Sequence, residues 1–179
     1  MALAAGLSKD CAANSGGIKR IAIANEADVS GVTYDTTDVA TVITVASGGK
    51  KFHEFEFEQD TAEWRENGEL INGSLKYTQE LEFFIRKNNN TNRTALAELG
   101  SNCGFIVVIE DMNGTLYILG HSSDLLNERP MKLASDATAS GKELTDLAGS
   151  TMTLTAMSVA KANTVDSSIT IDSLLVATT

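Results

Sequence analysis

Few side chains in this 179-residue chain have the types and spacing that chemistry needs. The two histidines are His53 and His121. Ser122, Ser123 and Asp124 follow His121, and together these are the residue types of a nucleophile, a base and its orienting acid. Sequence neighbours cannot adopt the mutual geometry of a triad, so the cluster predicts no hydrolase. Cys11 and Cys103 lie too far apart for a metal or redox spacing and read as free thiols. Gly141-Lys142 lacks the glycine spacing before it and the Ser/Thr after it that a phosphate loop requires. Ser15-Gly16-Gly17 lacks the order of a dinucleotide fingerprint. There remains a row of acids: Glu54, Glu56, Glu58, Glu80 and Glu82. Flat strands seldom gather six or more oxygens on one ion, and a row along a strand is unlike the facing carboxylates of a glycosidase. The sequence thus predicts no catalytic residue, no cofactor and no metal site.

The element that must position those acids is the stretch from Lys50 to Lys87. It holds seven of the ten aromatic residues and nine of the 24 carboxylates of the chain. Leu75, Tyr77, Leu81, Phe83 and Ile85 alternate with Lys76, Thr78, Glu80, Glu82 and Arg86, the period of a half-buried strand. Phe55 and Phe57 alternate in the same way with Glu54, Glu56 and Glu58. Two turn signals, Asn67-Gly68 and Asn72-Gly73, lie between the two limbs. The stretch therefore reads as a long antiparallel pair with one apolar and one acidic face. Both apolar sets fall at odd numbers, which predicts odd-with-odd pairing and sets Glu56 or Glu58 opposite or diagonal to Glu80 and Glu82. Like charges so placed repel, so this face should meet water, a cation, or a region where negative potential is useful.

The rest of the chain reads as a run of strands. Residues 1–16 form a small-residue arm. Strands are predicted at Gly17–Asn25, Ala40–Ser47, Phe105–Asp111, Thr115–Gly120 and Gly149–Ala160, with Met112-Asn113-Gly114 closing a hairpin. A loop or short strand surrounds Val32-Thr33-Tyr34. His121–Arg129 is a loop, and strand pieces follow at Met131–Asp136 and Lys142–Asp146. One helix is predicted over Arg93–Leu99, capped by Thr91 or Asn92 and stopped by Gly100. Ala162–Ser168 reads as a linker and Ile169–Leu175 as a last strand or tail. The fold class is mainly β: a β-sandwich or open barrel with a long β-hairpin and one flanking α-helix, in one domain spanning 1–179. Within it, 1–16 is an N-terminal arm and 162–179 a C-terminal tail.

Composition narrows the partners. A formal net charge of −10 argues against a basic DNA-binding or anionic-membrane-binding surface. The longest continuous apolar run is Phe105–Ile109, and the apolar N-terminal run is too short for a signal segment. These features predict a soluble protein that does not engage membranes.

In the order of its elements the chain resembles the tail tube (major tail) proteins of long-tailed bacteriophages. The matching stretches are Lys51–Glu58, Ser74–Arg86, Thr91–Gly100, Phe105–Gly120 and Ala137–Ala160. The resemblance implies a non-enzymatic virion protein, assembled in the bacterial host cytoplasm. It implies self-association into hexameric rings stacked as a tube that meets other tail proteins and passes DNA without binding it. Glu54, Glu56, Glu58, Glu80 and Glu82 would then line the lumen, where negative potential repels phosphate. Lys50, Lys51, Arg86 and Lys87 would make contacts between subunits or rings. The alternative from another class is a ligand-binding or decoration β-sandwich, such as a carbohydrate-binding or capsid-associated domain, which would use an exposed aromatic such as Trp64 or Tyr34.

Overall fold

The computed structural model describes residues 14–49, 51–86, 89–143 and 146–175. Eleven strands are present among them: β1 (Ile18–Asn25), β2 (Val29–Tyr34), β3 (Ala40–Val45), β4 (His53–Glu54), β5 (Glu63–Ile71), β6 (Ser74–Arg86), β7 (Phe105–Asp111), β8 (Leu116–Leu119), β9 (Lys132–Ala139), β10 (Gly149–Ser158) and β11 (Asn163–Val165). Helix α1 spans Asn90–Ser101 and the short α2 spans Ile171–Leu175. The strands form a seven-stranded sheet, β2-β3-β11-β8-β7-β1-β4, and a four-stranded sheet, β5-β6-β10-β9. The fold is mainly β, sandwich-like and without a closed barrel.

The long apolar run in β7 has a simple cause: this strand is covered on both faces. Phe105, Val107 and Ile109 face the core between the sheets, together with Ile21, Ile23, Leu81, Phe83, Met152 and Leu154. Ile106 and Val108 join a second core on the far side, with Ala22, Ala24, Phe52 and Ile118. Helix α2 covers that second core with Ile171 and Leu174. The Phe52 N–H donates to the Leu174 carbonyl at 3.2 Å, and Arg20 reaches from β1 to Asp172 at 2.7 Å. Residues 163–175 are therefore a strand and a helix packed on the domain. A linker and an extended tail do not describe them, because Asn163, Val165, Ile171 and Leu174 are buried.

Helix α1 packs Leu96 and Leu99 onto the inter-sheet core. Its cap is Asn89, whose side-chain oxygen accepts from the Asn92 N–H at 2.7 Å. The helix also runs through Gly100 to Ser101, so the predicted cap and stop each move outward. Of the two strand pieces predicted on either side of Ala137–Gly141, the first is found as β9, which runs on to Ala139 and pairs with β10 from Gly149↔Ala139 to Thr155↔Lys132. Beyond it the chain turns, and the Asp146 carboxylate accepts from the Lys142 and Glu143 amides at 2.7 and 2.8 Å. The described residues Lys142, Glu143 and Asp146 lie outside any strand, and the acid satisfies the two amides locally.

The largest difference lies in the long hairpin. Its outgoing limb is β5, Glu63–Ile71, not the stretch around Phe52–Glu58. Asn72-Gly73 is the turn, with φ of 50° and 81°, and closes a two-residue loop between Ile71 and Ser74. A two-residue turn forces odd residues opposite even ones, as in Trp64↔Leu81 and Arg65↔Glu80. The odd-with-odd register is thereby excluded. Asn67-Gly68 lies inside the strand, where the Tyr77 ring covers Gly68 so closely that a Cβ there would sit 2.9 Å from it. The residues around Phe55 and Phe57 instead cross from one sheet to the other, and both rings pack against the inter-sheet core.

Candidate assembly surface

The four-stranded sheet has one face on the core and one face uncovered. In β6 and β10 the odd and even positions respectively turn inward: Leu81 and Phe83, and Met152 and Leu154, are fully buried. The opposite residues therefore form the outer face, in rows that the register fixes. Glu63, Glu82, Thr153 and Ser135 make one row, and Arg65, Glu80, Thr155 and Lys132 the next. The Ser135 hydroxyl donates to Thr153 Oγ1 at 3.0 Å, which ties β9 to β10 across this face. Hydroxyl-bearing, β-branched threonines suit such a strand, because they satisfy β propensity while staying wet.

Arg65 is the electrostatic centre of the face. Its guanidinium lies 2.8 Å from Glu80, 3.7 Å from Glu63 and 3.9 Å from Glu82. Three carboxylates thus surround one cation, so the patch remains negative, and the like charges of Glu63 and Glu82 stand directly opposite each other. The sequence pattern Glu63, Arg65, Asn67, Glu69 against Trp64, Gly68 and Leu70 carries this information, yet it is masked by the stronger alternation of Phe55 and Phe57 upstream.

The acids named from sequence do not form one row. Glu80 and Glu82 lie on the outer face. Glu54 lies on β4 in the other sheet and accepts two hydrogen bonds from Arg20, at 2.7 and 2.9 Å. This bond and the Arg20 charge hold the Glu54 carboxyl below its ordinary range, and the same guanidinium lowers Asp172. Glu58 pairs with Arg86 at 3.0 Å where the crossing segment meets the end of β6. Glu56 lies in that segment between two core-packed phenylalanines. Of the basic residues, Lys51 is exposed and Arg86 is engaged by Glu58, whereas Lys50 and Lys87 lie outside the described residues.

Both lateral edges of this sheet lack a strand neighbour among the described residues. They are β5, nine residues long, and β9, eight residues long. Neither contains proline. An edge strand can serve as a template for another strand. The β5–β6 hairpin also reaches past its neighbour: β10 ends its pairing at Ser158↔Tyr77, and the strands continue to the turn. Leu70, Ile71 and Leu75 on that overhang are 71%, 41% and 46% exposed.

The remaining chemistry-bearing side chains are engaged elsewhere. Buried His121 shares a 2.6 Å hydrogen bond between its Nδ1 and the Tyr34 hydroxyl, and burial pushes its pKa down. Burial likewise raises the Tyr34 phenol far above its ordinary value. Ser122 Oγ accepts from the Leu125 amide at 3.0 Å, so it is not aimed at His121. Cys103 is a free, exposed thiol, and Cys11 lies outside the described residues. Among the described residues no group of three or more His, Cys, Asp and Glu is placed to hold a metal ion. No described helix is long and apolar enough to cross a membrane. A cleft of about 390 Å³ opens between α1 and the β1–β4 edge, lined by Ile23, Phe55, Leu96 and Leu99 with His53 and Glu98.

Compared with known proteins, the chain matches no family model, no curated protein and no solved structure.

Proposed function

We propose that this chain is a non-enzymatic structural subunit that self-assembles into stacked rings, forming the tail tube of a long-tailed bacteriophage. One observation carries the reading: a four-stranded sheet with a sealed inner face, a wet charged outer face that holds the cluster of Glu63, Glu80 and Glu82, and two edges without a strand neighbour among the described residues. Joining β5 of one copy to β9 of the next would extend the sheet, and ring closure would remove both exposed edges of that sheet. The outer face would then line a channel, with Glu63, Glu80 and Glu82 keeping phosphate at a distance so that DNA passes without binding. Glu54, Glu56 and Glu58 would stand at the end of that channel, beside Lys51 and Arg86, where rings meet. Such a subunit would be made in the host cytoplasm, join other tail proteins and end in the virion.

A second reading is favoured by a specific feature, the cleft beside α1. A ligand-binding or decoration domain would use that cleft and leave the sheet edges idle. Negative-stain electron microscopy of the purified chain at rising concentration separates the two. Rings or tubes with a central channel support the tube subunit; single particles at every concentration overturn it.

A further inference from the structure

Three Asn-Gly pairs occur in the described residues, at Asn67, Asn72 and Asn113, and the fold holds them very differently. Asn113 is pinned. Its Oδ1 accepts from the Ser15 amide at 3.0 Å, and its Nδ2 donates to Asn14 Oδ1 at 2.9 Å, the Ser15 carbonyl at 3.1 Å and Asp111 Oδ2 at 3.4 Å. Asn67 lies within the β5–β6 ladder opposite Thr78, and the next residue, Gly68, is covered by the Tyr77 ring. Asn72 is exposed at the tip of the overhanging hairpin, and its side chain makes no hydrogen bond to a described residue. In a two-residue turn the closing bonds join the flanking residues, here Ile71 and Ser74, which leaves the Gly73 amide outside the ladder. A Cβ built on Gly73 meets nothing within 4 Å, so no neighbour obstructs the approach.

From this placement we infer that Asn72-Gly73 is a site of spontaneous backbone modification, a deamidation confined by the fold to the hairpin tip. The Gly73 nitrogen attacks Asn72 Cγ, a C–N bond forms, and the carboxamide nitrogen leaves as ammonia with the displaced proton. Water then opens the cyclic imide at either carbonyl. Opening at one yields an ordinary aspartyl-glycine turn, which suits the same two-residue hairpin and adds one negative charge. Opening at the other routes the main chain through the former side chain and inserts a methylene into the turn. That product cannot keep both the Ile71↔Ser74 closure and the two-residue geometry, so Leu70 and Leu75 lose their fixed opposition. The tip thus carries a built-in chemical clock whose two products differ in shape, whatever the sheet assembles with.

The test is a time course of the purified full chain at mildly alkaline pH, followed by tryptic digestion and tandem mass spectrometry. Asn67 and Asn72 fall in one tryptic peptide, Glu66–Lys76, so fragment ions must place the change, whereas Asn113 reports from another. The expected result is a gain of about one dalton at Asn72, at least about tenfold faster than at the other two, because those must first open locally. In guanidinium the three rates should converge, since the local sequence is then all that differs. Asn72→Asp should keep the folded far-ultraviolet signature and show no gain at this position. Equal rates in the folded chain, or a lead by Asn67 or Asn113, would overturn the inference.

Discussion

Gly120 shows how a single residue fixes the joint between the two layers. It has φ of 76°, and a Cβ there would lie 2.6 Å from the Met131 amide nitrogen and 2.7 Å from the Phe105 carbonyl. Those two residues exchange backbone hydrogen bonds at 2.8 and 2.9 Å, so neither can give way. Gly120→Ala is expected to destabilise the chain by about 2–4 kcal/mol in urea unfolding, combining strain with displacement of the bridge. Gly114→Ala is the control: its φ is 84° with nothing within 4 Å, and the cost should be about 1 kcal/mol. His121 gives the pH signature of the same region. Its folded pKa lies below the ordinary imidazole value of about 6.5, so below that pH the unfolded chain binds the proton first. Stability should be fully present above pH 6.5 and fall as the pH drops toward the folded pKa, and His121→Gln should flatten that slope. An unchanged slope in the variant would show that another group carries it.

At the scale of elements, the hairpin and the helix are set by short local signals that the longer patterns obscure. Asn72-Gly73 takes positive φ at both central residues, and this one turn decides which limb pairs with β6. The Phe55–Phe57 alternation is real, but each ring packs into the core from a crossing segment, so two alternating residues do not make a strand. For α1, Asn89→Ala removes the side chain that accepts from the Asn92 amide and should cost about 1 kcal/mol. Hydrogen exchange should then quicken in the first turn of the helix while the β6–β10 ladder keeps its protection.

At the scale of the whole molecule, the two sheets have different fates. The seven-stranded sheet is buried on both faces along β1, β7 and β8, by the other sheet on one side and by the second core with α2 on the other. The four-stranded sheet has an outer face and two edges without a strand neighbour among the described residues. The informative charge change is therefore Glu80→Lys with Glu82→Lys, since Glu56 lies off that face. Both residues are partly exposed and their bonds to Arg65 are surface pairs, so unfolding stability should shift by less than about 1 kcal/mol. If the sheet lines a DNA channel, rings carrying both changes should still assemble but retain DNA in a salt-dependent way. Rings that bind no more DNA than the parent would remove the outer face from the channel.

The sequence by itself determined the class of the fold, the strands β1, β3, β7, β8 and β10, the inward Leu81 and Phe83 of β6 and the existence of α1. Each of these follows from local period, β-branching and turn chemistry, which neighbouring residues carry among themselves. Only the tertiary structure decided that Glu54 and Glu58 pair with Arg20 and Arg86 while Glu80 and Glu82 share Arg65 with Glu63. It also decided that residues 171–175 fold as a helix, because the apolar far face of the central sheet needs a cover that no local pattern announces. Alternation says which residues share a face of one strand; which sheet that strand joins depends on distant partners and on the core they bury together.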